Sequence, residues 1–264
     1  MTAPRLPAPW RAALLPALVP LALLAAWEAA GDTGLLSSRV LPSPSDVVVA
    51  GVALLRSGEL LRHIAISFAR AGAGFVIGGT IGLALGLANG LSPLASGLLD
   101  STLQMIRNVP HLALIPLVIL WFGIDEEAKL FLVALGVFFP VYLNTYHGVR
   151  TVDAGLKEMG RVYGLSGPAL FREVILPGAL PSVLVGVRYA LGITWLTLIV
   201  AETVSASAGI GYMTMNAREF LQTDVVVLGI LIYALLGKLA DTATRLLERR
   251  WLAWHAAFQA PEAA

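Results

Sequence analysis

The residues able to do chemistry in this chain are few and scattered. There is no cysteine, which removes disulfides, thiol catalysis and Cys-based metal sites. The histidines His63, His111, His147 and His255 never fall at a ligand spacing such as H-E-x-x-H, so neither a metal nor another cofactor is expected. No G-x-S-x-G nucleophile elbow is present. The Gly237-Lys238 pair is followed by Leu239 and lacks the phosphate-loop frame, so ATP binding by that motif is not expected. Asp125, Glu126 and Glu127 crowd one short turn and read as a solvated loop. What remains is a set of polar residues set in apolar sequence. Asn108 and His111 lie beside Pro110 and Pro116, and proline frees backbone carbonyls, which is tolerated in a bilayer where they are buried in protein or line a cavity. Asn144, Thr194 and Thr197 are further candidates for groups facing a pathway. Glu202 is either a carboxylate at the membrane interface or a pathway or gate residue. Lys238 and Asp241 stand three apart, share a helix face and can pair. Arg188 reads as an anchor, with a pathway cation as the alternative.

The elements that must position these residues follow from hydropathy. Of 264 residues, 57% are hydrophobic and 13% charged. A soluble domain carries about 25% charged residues, so the bilayer is the expected solvent. A spanning helix needs roughly 20 mostly apolar residues. Stretches near Ala13–Ala30, Ile64–Ala88, Val109–Phe122, Ala128–Tyr146, Leu180–Val204 and Val225–Leu247 qualify, giving an all-α protein with six transmembrane helices. The first stretch follows Arg5 and Arg11 as a signal peptide would, but it exceeds the usual 7–15 apolar residues and is read as a span. Lys and Arg placement favours both termini in the cytoplasm. The net charge of +1 gives no field for nucleic acid.

The expected organisation has four parts. Residues 1–31 form a cytoplasmic segment and the first span. Residues 32–63 form an extracytoplasmic segment, with Ser45 capping a short amphipathic helix to about Leu55. Residues 64–250 form the core, with a cytoplasmic loop at 150–179, and residues 251–264 form a tail. Within the second span, Gly74, Gly78, Gly82, Gly86 and Gly90 recur every four residues. Such a stripe lets helix backbones approach closely in lipid, either for packing or as a sliding surface.

The loop is the most informative segment. Glu158-Met159-Gly160 is followed by Gly164 and then by Val174-Ile175-Leu176-Pro177. Leu165-Ser166-Gly167-Pro168 is expected to break the chain into two short helices, with Pro168 at the start of the second and Pro177 and Pro181 bounding the next span. Leu165 and Phe171 are the apolar side chains expected to be available for docking in a groove.

This loop resembles the E-A-A-x3-G-x9-I-x-L-P loop of ABC-importer permeases. Glu158, Gly164, Leu176 and Pro177 match, while Met159 and Gly160 replace the alanines and Val174 the isoleucine. Leu41-Pro42-Ser43-Pro44, the run Arg107 to Pro116, Trp121-Phe122-Gly123-Ile124, Ile199-Val200-Ala201-Glu202 and Ala217-Arg218-Glu219-Phe220 resemble the nitrate/sulfonate/taurine branch of that family, most closely its aliphatic sulfonate permeases. The resemblance implies a MetI-like type I importer fold and a transport subunit without enzymatic activity of its own. It implies a homodimer of permeases, two cytoplasmic ATPase subunits and an extracytoplasmic substrate-binding protein, all at the bacterial inner membrane. Glu158, Gly164, Leu165, Ser166, Gly167, Phe171, Leu176 and Pro177 would then couple to the ATPase. The implied cargo is an aliphatic sulfonate, with taurine, nitrate or another small ligand left open. Hydroxyls such as Thr194 and Thr197 could give an anion transient contacts. An intramembrane enzyme would need acids or histidines clustered at catalytic spacing. A stand-alone carrier would favour inverted repeats. Neither pattern is found in the sequence.

Overall fold

The computed structural model describes residues 9–254, and all regular structure among them is helical. Residues 1–8 and 255–264, with Arg5 and His255, lie outside the described residues. The helices are α1 (Pro9–Asp32), α2 (Pro44–Arg56), α3 (Glu59–Leu91), α4 (Pro93–Arg107), α5 (Ile115–Phe122), α6 (Glu126–Thr151), α7 (Ala154–Val162), α8 (Gly167–Leu170), α9 (Leu176–Ser205), α10 (Ile210–Glu219) and α11 (Thr223–Trp251). Helices α3, α6, α9 and α11 are long and apolar enough to cross a membrane. Helices α4 and α5, with the 3-10 turn His111–Leu114 between them, pass the same test only as a pair bent by 80°. The third expected span is therefore a broken one that begins in α4. α1 occupies the place of the first expected span.

The described residues pack as two units, one made of 9–62 with Met213–Leu231, the other of His63–Tyr212 with 232–254. In the first unit, the side chain of Ser43, not Ser45, caps α2. It accepts from the Asp46 amide, and Asp46 accepts in turn from the Ser43 amide at 3.2 Å, a closed capping box. The Glu28 carboxylate accepts from the Ser45 amide at 3.0 Å, and Thr223 donates to the Arg39 carbonyl at 3.0 Å.

In the second unit the glycine stripe decides the packing. A methyl group on Gly82 would stand 2.6 Å from the Phe138 carbonyl oxygen, one on Gly86 2.8 Å from that of Tyr142, and one on Gly90 2.7 Å from Val149 Cβ. Gly78 lies against the Ala134 backbone and Gly74 against Val133. All five glycines thus face α6, and the partner's number rises along the stripe. α3 and α6 run parallel, backbone against backbone, as small-residue stripes permit in lipid. The α6–α9 pairing is antiparallel, since Gly136 meets Thr197 and Ile193, Gly186 meets Asn144, and Gly148 meets Ala179. α11 is antiparallel to α9, with Tyr233 bonded to Glu202 and Glu248 paired to Arg188. One core cluster joins Val118 of α5 to Ala128, Leu132 and Ala201, and another joins Val149, Val152 and Ala179 near the loop.

Two expectations about the loop change. The second short helix does not stand alone, because helical structure runs from Gly167 through to Val204. A π-turn over Phe171–Ile175 connects α8 to α9, and the Leu176 amide donates to the Phe171 carbonyl five residues back. Pro177 and Pro181 therefore sit inside this helix instead of bounding it.

Candidate functional site

The loop is built around a closed turn. α7 starts with Asp153, whose carboxylate accepts from the Leu156 amide at 2.9 Å. It ends as a Schellman motif: Gly164 donates to the Arg161 carbonyl and Leu165 to the Gly160 carbonyl, both at 2.9 Å. This ending needs Gly164 at φ +83°, a left-handed conformation that costs little only for glycine. Gly167 at φ +48° turns the chain again, and Pro168 sits in the first turn of α8.

That turn folds Leu165 back over Gly160, beside Leu170 and Val174. Leu165 and Phe171 are both half-buried, and Leu165 packs within the loop's own small core. The most exposed apolar residues are Val162 at 86% and Tyr163 at 80%, followed by Met159, Leu156 and Leu176. Glu158, Ser166 and Leu176 are exposed, and Pro177 is half-buried. The sequence gives no signal for Val162 and Tyr163, because helix periodicity does not say which side the Schellman turn will cover.

On the opposite side of the second unit lies a buried polar cluster around Glu202, whose side chain is fully buried. Its oxygens accept from Ser67 at 2.8 Å, from Arg70 at 2.8 Å, from the Gly211 amide at 2.9 Å and from Tyr233 at 3.0 Å. Ser67 also accepts from the Ile210 amide, and His63 Nδ1 accepts from the Gly209 amide at 3.0 Å. Arg70 spans outward from Glu202 to Glu126, which it meets with two hydrogen bonds of 2.6 Å. Glu126 is thus not merely a solvated loop residue. Lys129, itself buried, lies 3.5 Å from it and donates to the carbonyls of Ile124 and Asp125. The Glu202 carboxylate is thus enclosed by groups from α3, α9, α10 and α11.

The other pathway candidates divide. His111 and Thr197 come together, with His111 Nε2 3.0 Å from Thr197 Oγ1, over the space left by Gly136. Asn144 and Thr194 turn inward to their own helices, donating to the carbonyls of Pro140 and Ala190. Thr194 also borders an apolar cavity of about 310 Å³ lined by Phe68, Phe75, Trp195 and Leu236. Asn108 is exposed and donates to the Gln104 carbonyl, closing the end of α4. One expected ion pair is replaced by another, and Arg188 gains a partner. Asp241 pairs with Arg245 at 3.0 Å, one turn on, instead of with Lys238. Arg188 pairs with the buried Glu248 of α11.

The geometry is that of a membrane bundle carrying a rigid, apolar-tipped loop, and the comparisons agree with it. An aliphatic sulfonates transport permease protein of Escherichia coli K12 is 63% identical over 96% of this chain and 97% of its own length. A protein of the same description from Bacillus subtilis 168 is 48% identical over 92% of this chain and 88% of its own. The taurine transport system permease of E. coli K12 is 37% identical over 90% of this chain and 88% of its own. Among solved structures, an amino acid ABC transporter shares the fold with a TM-score of 0.56 at 19% identity, over 75% of this chain and 97% of that one. An inward-facing methionine ABC transporter does so at 0.50 and 20% identity, over 73% and 95%. The description "binding-protein-dependent transport system inner membrane component" matches residues 62–253, and the chain belongs to that family of ABC-transporter permeases.

Proposed function

We propose that this chain is the permease subunit through which aliphatic sulfonates cross the bacterial inner membrane, driven by ATP hydrolysis on separate ATPase subunits. The observation that carries the substrate is the identity of 63% with an aliphatic sulfonates permease over nearly the whole of both chains, against 37% for the taurine permease. In this reading two copies form the pore. Each sets its loop in a groove on one of two cytoplasmic ATPases, and a binding protein delivers the ligand on the other side. The loop side is cytoplasmic, as are both termini, and the Glu202 side faces outward. Residues 32–63 lie outside, residues 64–250 form the core, and residues 251–264 form a cytoplasmic tail.

The coupling residues divide by role. Val162, Tyr163, Met159 and Glu158 form the contact surface. Gly164, Leu165, Ser166, Gly167, Phe171, Leu176 and Pro177 hold its shape. Closure of the ATPase pair draws the two loops together and shifts the bundle between two states through differential contacts at the loop. Asn108, His111 and Thr197, at or near the broken span, remain the pathway candidates.

The test is uptake of a labelled alkanesulfonate by a host lacking sulfonate import, given this chain with its ATPase and binding protein. Uptake that needs all three components, and fails when residues 158–177 are replaced, supports the reading. Robust uptake of taurine or nitrate in its place keeps the mechanism and discards the substrate. Uptake by this chain alone discards the ABC mechanism.

A further inference from the structure

Because α3 and α6 run parallel and in register from Arg70 and Glu126 to Gly90 and Val149, the chain between them must return the full length of the pair. It does so in α4 and α5, bent by 80° at Asn108–Pro110. α4 has 15 residues, a rise of about 22 Å. A hydrocarbon core is about 30 Å thick, so neither half crosses alone and the bend falls well inside the crossing. Arg107 is the last residue of α4 and stands at that bend.

Arg107 is exposed, and its guanidinium makes no hydrogen bond or ion pair among the described residues. An intramembrane charge is expensive and normally finds a partner or a wet cavity. Its place in the last turn complements the helix dipole, but that accounts for its position and not for a bare fork at this depth. The surroundings are polar along one line. Asp100, Gln104 and Asn108 recur every four residues on α4, and Arg107, three beyond Gln104, extends the same face. Asp100 is already engaged by Tyr142 at 3.0 Å and by Gln104 at 3.5 Å, and lies two turns away, about 10 Å down the helix. On this face Arg107 and Asn108, at the bend, are exposed, while Asp100 and Gln104 are half-buried.

We propose that Arg107 is the anion-recognising group of the membrane pathway, its guanidinium taking two oxygens of the sulfonate headgroup as the ligand passes the bend. The inference rests on the anionic cargo proposed above. The planar fork of arginine matches such oxyanions in a way lysine does not. The chemistry also explains how so apolar a bundle passes a charge: a single cation, unpaired at rest, binds an arriving anion without first breaking an ion pair. His111, held to Thr197 across the bend, keeps the second half of the span in place.

The experiment uses the full complex in proteoliposomes. Wild-type uptake is first measured for an alkanesulfonate, taurine and nitrate, which settles the cargo independently. Arg107→Gln and Arg107→Lys are then measured on whichever of these the wild type carries, alongside assembly with the ATPase and stimulation of ATP hydrolysis by the loaded binding protein. The expected result is uptake lowered about tenfold to a hundredfold in Arg107→Gln, the loss of one charge-assisted contact, with partial recovery in Arg107→Lys and with assembly and stimulation retained. Wild-type uptake in Arg107→Gln overturns the proposal, as does a wild-type cargo bearing no negative charge. A lipid phosphate offers the same oxygens. Wild-type transport that depends on anionic lipid, with a defect in Arg107→Gln that disappears in neutral vesicles, assigns Arg107 to the headgroup and also overturns it.

Discussion

Arg70 and Glu202 meet at 2.8 Å inside the protein, the carboxylate fully buried and the guanidinium nearly so. The same arginine reaches Glu126, whose side chain is 57% exposed. One residue thus joins a buried ion pair to a surface one, and the two halves differ in worth.

Removing a partner from a buried pair leaves an uncompensated charge, a loss of roughly 3–5 kcal/mol. Arg70→Met is expected to lower the melting temperature and the folded yield of the purified complex sharply. Glu126→Gln, which removes the exposed partner of Arg70 and Lys129, is expected to cost less than Arg70→Met, because water still reaches that end of the pair. Tyr233→Phe falls between, since it removes one hydrogen bond to a carboxylate. Thermal unfolding in detergent ranks the three, and equal effects for Arg70→Met and Glu126→Gln would refute the division.

The glycine seam makes a second prediction. A side-chain methyl at Gly78 or Gly82 has nowhere to go but into the α6 backbone, whereas one at Gly237 meets open space. Gly82→Ala is expected to abolish most folded permease and Gly237→Ala to leave it unchanged, read as monodisperse protein after membrane extraction.

A third concerns the loop turn. A methyl at Gly164 has room, so the strain of Gly164→Ala comes from its positive φ alone, about 1–3 kcal/mol and local to the loop. Membrane insertion is expected to persist while uptake and coupled ATP hydrolysis fall together. Uptake at the wild-type level would exclude a coupling role for this turn.

The fourth separates contact from shape. Tyr163→Ala and Val162→Asp are expected to weaken copurification of the ATPase at unchanged thermal stability. Leu165→Ala, and Phe171→Ala at a half-buried site, are expected to lower stability first, since Leu165 packs over Gly160 beside Leu170 and Val174. The reverse pattern would return Leu165 and Phe171 to the contact surface.

Much of this fold is written in local sequence. Long apolar runs located α3, α6, α9 and α11 to within a few residues, and Gly164, Gly167 and Pro168 marked the turn because each answers to a backbone constraint. Relationships between distant residues were not legible. Glu126 looked like one of three loop acids until the fold set it against Arg70, 56 positions earlier. The prolines misled for a different reason. Pro177 follows the π-turn directly, where the helix has already shifted its hydrogen-bond register, and Pro181 removes only the bond to the Pro177 carbonyl. The exposed face of α7 was hidden because it depends on where Leu165 folds back, a tertiary fact. Arg107 reads in the sequence as one of the cytoplasmic cations, because nothing local shows that α4 and α5 pass as a span only together.

At Gly78 and Gly82 the seam between α3 and α6 sets backbone against backbone, and elsewhere it holds only the short side chains of Val133, Thr145 and Val149. Rotamers have little room to absorb sliding there. The two helices must therefore travel as one plank. Motion that opens one mouth of the bundle is left to joints without such a seam, foremost the bend at Asn108–Pro110, so the part of the chain that looks least like a regular span is where a transport stroke has slack to act.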